Sequence, residues 1–169
     1  MSMKDIIKCY VSGRHTVDSE QDGTVSFAVP EYGVLFRCGA AGSKTDMEII
    51  AFLTFLRFVE HNIEIFKPRK LHIYTDFPLL VYLMNKGALI PGMDAVVREA
   101  EKYAKNVEFE VKFIDGKENR AAGSVVDIPA MPANSKVKIK TFANLDTIGK
   151  PINIKADMAP PQTDGGIKI

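Results

Sequence analysis

Two carboxylates in this 169-residue chain have the type and placement to do chemistry together. Thr45-Asp46-Met47-Glu48 runs into the apolar stretch Ile49-Ile50-Ala51-Phe52-Leu53, and Leu71-His72-Ile73-Tyr74-Thr75 ends on Asp76, 28 positions after Glu48. If the fold brings them together, Glu48 and Asp76 are two halves of an acidic centre, because Mg²⁺ favours carboxylate oxygens alongside substrate phosphates. Each also has a purely structural explanation. Thr45 and Glu48 have the spacing of a capping box, in which the glutamate satisfies a backbone N–H and complements the helix dipole. Asp76 stands where an N-cap would, just before Phe77-Pro78.

The elements that must position these acids are legible as alternating and periodic runs. Residues 6–11, 24–29 and 34–38 are rich in β-branched and aromatic side chains and are separated by turn residues, so they read as an antiparallel meander. Residues 39–43 are too Gly- and Ala-rich to continue the third strand, and a heavily buried helix is expected from Thr45 to about Asn62. A fourth strand over 70–75 follows Pro68, then a short helix through Met84 that Gly87 stops. A helix over 93–105 is followed by a fifth strand over 107–114 with one exposed face, and by a helical turn or two from Glu118 to Asp127. A parallel crossover into the fourth strand makes the sheet mixed, with helices packed on it.

This order of elements resembles the ribonuclease H-like fold, and specifically the type 1 ribonuclease H family, over about residues 5 to 128. Thr45-Asp46-Met47-Glu48-Ile49-Ile50-Ala51 is similar to that family's asparagine-arginine-alanine-glutamate helix start, and Ile73-Tyr74-Thr75-Asp76 to its Tyr-Thr-Asp strand end. The resemblance implies catalytic, metal-ligating roles for Glu48 and Asp76 with Mg²⁺ or Mn²⁺. It also implies where this chain departs. The first strand's bridging aspartate is replaced by Ser12 in Tyr10-Val11-Ser12-Gly13-Arg14, and the fourth acid by Gly123. The loop Asp115-Gly116-Lys117 lacks the family's histidine.

Hydrolysis by two metals about 3.5–4 Å apart needs several carboxylates to hold both ions. Asp115, Asp127, Asp18 and Asp22 are the acids that could rebuild the set. The sequence therefore reads as a catalytically degenerate module binding nucleic acid or protein. The alternative is a metal-dependent ribonuclease cleaving the RNA strand of RNA–DNA hybrids, with Glu48, Asp76 and Asp115 as its acids.

Other signals are weaker. The chain is 46% hydrophobic and 25% charged with a net charge of +1, which makes no global case for nucleic acid. Residues 129–169 form a separate extension holding 6 basic and 3 acidic residues against 16 and 18 before it, and five of the nine prolines. A β-hairpin is expected there. Its alternating Lys136, Lys138 and Lys140 are binding candidates together with Ser12, and also suit an edge strand protected from aggregation. The extension could also engage a protein partner or a second copy.

The spacing of Gly39, Gly42 and Lys44 does not fit a phosphate loop, and His15, His61 and His72 do not fit a zinc site. Lys67, Arg69 and Lys70 form a small basic cluster. Tyr10, Phe27 and Phe36 form either a base-stacking series or, preferably, core. Cys9 and Cys38 read as buried free thiols. With no signal peptide or membrane span in the pattern, a cytoplasmic protein is expected.

Overall fold

Alternation along the first strand decides which face of the sheet is buried. Ile7, Cys9 and Val11 turn to one side and Lys8, Tyr10, Ser12 and Arg14 to the other, since successive strand residues point oppositely. The structure is a computed structural model that describes residues 4–16, 19–86 and 93–122. Strands β1 (Asp5–Thr16), β2 (Ser19–Val29) and β3 (Val34–Ala41) form the expected antiparallel meander. Between β2 and β3, a 3₁₀ turn over Pro30–Tyr32 closes on Gly33, whose φ of 66° is the left-handed conformation glycine accepts without strain.

Helix α1 (Lys44–His61) and the short α2 (Ile63–Phe66) carry the chain across to β4 (Arg69–Thr75), which pairs parallel with β1. Helices α3 (Pro78–Lys86) and α4 (Asp94–Ala104) precede β5 (Glu108–Phe113), parallel to β4. The result is a five-stranded mixed sheet in the order β3-β2-β1-β4-β5.

Helix α1 is apolar on nearly all sides because it is sandwiched. Phe52, Phe55, Leu56 and Phe58 are fully buried against Phe27, Phe36, Leu71 and Ile73 of the sheet, and α4 covers it laterally, with Arg57 reaching Glu99 at 4.0 Å. Phe27 and Phe36 stack with centroids 4.6 Å apart inside this core, which settles them as packing residues. Tyr10 lies on the opposite face, stacked on Tyr74 in a smaller cluster with Ala28, Leu35 and Ala121. Cys9 and Cys38 are buried free thiols, and burial pushes both pKa values up.

Several expectations are corrected. The strand β3 continues through Gly39 and Ala41, where composition suggested a loop, because both remain in the ladder opposite Thr24 and Asp22. The capping box of α1 is formed by Ser43 and Asp46 rather than by Thr45 and Glu48: the Asp46 N–H donates to Ser43 Oγ at 3.1 Å and the Ser43 N–H to Asp46 Oδ2 at 2.9 Å. Phe113, at the end of β5, is 56% exposed although it alternates in phase with the buried Val111. After β5 the chain forms a 3₁₀ turn over Gly116–Glu118 and an irregular stretch to Ala122, where a helix was expected. The rest of that expected helix and the whole extension over 129–169 lie outside the described residues.

One contact sets the depth at which α1 sits. A Cβ on Gly13 would lie 2.3 Å from the Met47 carbonyl carbon, so the first turn of the helix rests directly on the backbone of β1. Gly13→Ala is expected to cost at least about 2 kcal/mol through overpacking against backbone that cannot yield, read as a lowered urea midpoint with an unchanged slope.

Candidate acidic centre

Because α1 sits on Gly13, Glu48 cannot point to solvent. It is 2% exposed, and its Oε1 accepts a hydrogen bond from the Gly13 N–H. The register that pairs Tyr10 with Tyr74 carries Asp76, just past the end of β4, alongside Ser12 of β1. The two carboxylates are thereby brought to one end of the sheet's interior strands, at the carboxyl end of β4, close enough that Asp76 raises the Glu48 pKa. The juxtaposition anticipated from sequence is present.

Each acid is already opposed by a cation of the chain itself. The Lys44 ammonium lies 3.9 Å from Glu48 Oε1, one helical turn earlier, and donates to the Gly13 carbonyl at 3.1 Å. The Arg14 guanidinium lies 3.6 Å from Asp76 Oδ2. Asp76 is also held from the far side. Asn119 Nδ2 donates to Asp76 Oδ1 at 3.3 Å and to the Val11 carbonyl at 2.9 Å. A Cβ on Gly116 would come within 2.8 Å of Asp76 Oδ2, so the turn after β5 closes over the acid. The Phe77 N–H donates to Thr75 Oγ1 at 3.1 Å, so the N-cap role considered for Asp76 is not the one its contacts describe.

Electrostatics follow from this burial. Glu48 is pushed up to about 7, chiefly by desolvation, against the opposing effects of the Gly13 hydrogen bond and Lys44. Near neutral pH this carboxyl is therefore shared between its protonated and ionised forms. Ser12 is 1% exposed, and its Oγ has no hydrogen-bond partner among the described residues.

The other candidates are placed differently. Asp115 is exposed, and its Oδ1 accepts from the Lys117 N–H at 2.9 Å, capping its own 3₁₀ turn. Among the described residues no three His, Cys, Asp or Glu side chains assemble as a metal site. Asp18, Gly123, Asp127, Lys136, Lys138 and Lys140 lie outside the described residues. Of the basic cluster, Arg69 is engaged by Glu31 and Tyr32, and Lys70 by Glu108 at 3.6 Å, so both serve the sheet.

The metal pair implied by the resemblance does not fit these residues. Two ions need bridging negative charge, yet Ser12, at the position where the resemblance implies the bridging acid, is a neutral hydroxyl, Glu48 is only partly ionised near neutral pH, and both acids face a resident cation.

Sequence reasoning missed Arg14, Asn119 and Arg37. The Arg37 guanidinium donates to the Ala121 carbonyl at 3.2 Å and is pushed below its ordinary pKa by burial and by Arg14 beside it. Only the Lys44–Glu48 pair had a readable signal, the i, i+4 spacing.

No protein-family model matches the sequence, and no curated protein matches it. Solved structures do match in fold. Ribonuclease H1 from the halophilic archaeon Halobacterium salinarum NRC-1 is 12% identical, with a TM-score of 0.53, over 69% of this chain and 91% of that one. LC11 ribonuclease H1, isolated from compost by a metagenomic approach, is 12% identical, with a TM-score of 0.55, over 71% and 91%. The same enzyme in complex with an RNA/DNA hybrid aligns at 11% identity with a TM-score of 0.54, over 68% and 88%. The chain has the ribonuclease H-like fold.

Because ionised Glu48 is disfavoured in the folded state, its raised pKa adds stability below about 4.5 that is lost progressively as the pH climbs to about 7. Glu48→Gln, which keeps an acceptor for the Gly13 N–H, should match the native protein near pH 4.5. At pH 8 it should exceed the native protein by on the order of 2 kcal/mol in urea denaturation.

Proposed function

We propose that this chain is a nucleic-acid-binding module of ribonuclease H-like fold, whose acidic centre has been converted from metal chemistry to direct phosphate contact. The observation that carries the reading is the pairing of Asp76 with Arg14 and of Glu48 with Lys44. A phosphodiester approaching a cluster of bare carboxylates needs divalent cations to offset the repulsion. Here the offset is built into the protein. The Arg14 and Lys44 side chains are 53% and 56% exposed, so each has donors left for a phosphate after meeting its acid. Arg37 adds a third cation beside Arg14. LC11 ribonuclease H1, which shares this fold, is found in complex with an RNA/DNA hybrid, and this supports nucleic acid as the ligand class.

Hydrolysis is not part of the proposal, because the chemistry it requires has lost its bridging acid. Ser12 contributes a hydroxyl that cannot supply negative charge between two ions, and Glu48, shared with its proton near pH 7, is a poor ligand. The reading leaves the extension over 129–169 as an auxiliary element in which Lys136, Lys138 and Lys140 would add phosphate contacts. The competing reading is a ribonuclease that depends on Glu48, Asp76 and Asp115 with Mg²⁺ or Mn²⁺, and it makes the opposite predictions.

A labelled RNA–DNA hybrid separates the two. Binding should be as tight in EDTA as in Mg²⁺, with no cleavage in Mg²⁺ or Mn²⁺. Arg14→Ala and Lys44→Ala should each weaken binding and lower the salt-dependence slope by about 1. Cleavage by the native protein that Asp76→Asn abolishes would overturn the proposal, as would affinity that collapses in EDTA.

A further inference from the structure

Strand β5 ends one side of the sheet, and its outer edge meets no other strand among the described residues. The Ile114 N–H donates to the Thr75 carbonyl at 2.9 Å, and in a parallel ladder successive residues turn their backbone groups to alternate sides. Glu110 and Lys112 therefore address β4, whereas the N–H and C=O groups of Phe109, Val111 and Phe113 point outward from the sheet. Between α3, α4 and this strand lies a cleft of about 260 Å³, lined mainly by Met84, Val97, Ala100, Phe109 and Val111. Its floor belongs to the core, since the Phe109 ring meets the fully buried Phe52 edge to face at 6.2 Å. Phe113, in phase with Phe109 and Val111, is instead 56% exposed. An unpaired edge, an open apolar cleft and an exposed phenyl ring thus share one short strand.

The edge is complementary to itself. Set antiparallel about a two-fold axis at Val111, two copies of β5 put Val111 opposite Val111, Glu110 opposite Lys112 and Phe109 opposite Phe113. Outward backbone groups then meet outward ones, so the 111–111 and 109–113 pairs are hydrogen-bonded. Glu110 and Lys112 become the closer kind of pair, with Cα atoms about 4.5 Å apart, and opposite charges meet at both symmetric positions. Within one chain Glu110 is shared by Lys112 at 3.6 Å, Lys70 at 3.9 Å and His72 at 3.4 Å, which leaves Lys112 with donors for a second carboxylate. Moving the axis one residue either way sets Glu110 opposite Glu110 or Lys112 opposite Lys112, so charge selects the register. That register also carries each Phe113 over the partner's Phe109, beside the cleft. We infer that the outer edge of β5 is a homodimer interface, pairing with β5 of a second copy into one continuous sheet and seating each Phe113 at the other's cleft. The patch is small, so association is weak, with a dissociation constant on the order of 10 µM. The inference goes beyond the proposed function and uses no residue of the acidic centre.

The test is sedimentation velocity of the full chain over a concentration series spanning the expected dissociation constant, with Glu110→Lys, Lys112→Glu and Phe113→Ser alongside. None of the three positions is buried, and circular dichroism establishes that each variant is folded. The native chain should pass from monomer to dimer across the series. Each charge reversal alone places like charges at both symmetric positions and should weaken the dimer by about tenfold or more, as should Phe113→Ser. An equimolar mixture of the Glu110→Lys and Lys112→Glu chains regains opposite charges at both positions and should associate about as well as the native chain. A native chain that stays monomeric throughout, as one whose own 129–169 extension covered the edge would, overturns the inference. So does a dimer unmoved by Phe113→Ser, or a mixture that associates no better than its components. No nucleic acid is present, so the outcome is independent of the hybrid-binding assay.

Discussion

The direct seating of α1 on the backbone of β1 at Gly13 is the constraint on which the arrangement of the site depends. With no Cβ at position 13, Met47 and Glu48 approach the strand to a distance no other residue would permit, and the Glu48 carboxyl is driven into the interior. A buried carboxyl must find a partner, and the Gly13 N–H provides it. The same approach brings Lys44, at the first position of the helix, over the Gly13 carbonyl. One close contact therefore fixes an acid, the cation opposing it and a shifted pKa, and leaves Glu48 poised near neutrality.

On the other side of β1, the parallel pairing with β4 delivers Asp76 to Ser12, and the turn after β5 completes its enclosure. Asn119 is central there. Its side-chain nitrogen ties Asp76 to the Val11 carbonyl, while its oxygen accepts from the Ala121 N–H at 3.0 Å. The Ala121 carbonyl in turn accepts from Ser26 Oγ at 2.9 Å and from Arg37. The far face of the sheet and the acidic centre are thus joined by one irregular segment rather than by regular secondary structure. Ser12, a neutral hydroxyl, places no like charge beside Asp76, and Arg14 pairs with that carboxylate.

Much of this was legible in the sequence, and the boundary of legibility is physical. Alternation in β1 and β2 and the apolar density of α1 predict the sheet and its covered face, and the types and placement of Glu48 and Asp76 predict that the two acids approach one another. The cap of α1 was misread because Ser43–Asp46 and Thr45–Glu48 share the same spacing, and only the gap over Gly13 decides which acid turns inward. The strand at Gly39 to Ala41 was missed because ladder pairing overrides weak β propensity. The pairings of Arg14 with Asp76 and of Asn119 with Val11 join residues far apart in the chain through long or adaptable side chains, and no periodicity encodes them.

The central claim is that Arg14 and Lys44 occupy the electrostatic role of divalent ions. Titration of the protein with Mn²⁺ at pH 7.5, followed by calorimetry and by electron paramagnetic resonance of the free ion, addresses it most directly. The account predicts no saturable binding at ion concentrations up to about 1 mM, because neither a bridging acid nor an unopposed pair of carboxylates stands at the site among the described residues. Saturable binding of two ions that is lost in Asp76→Asn would contradict it.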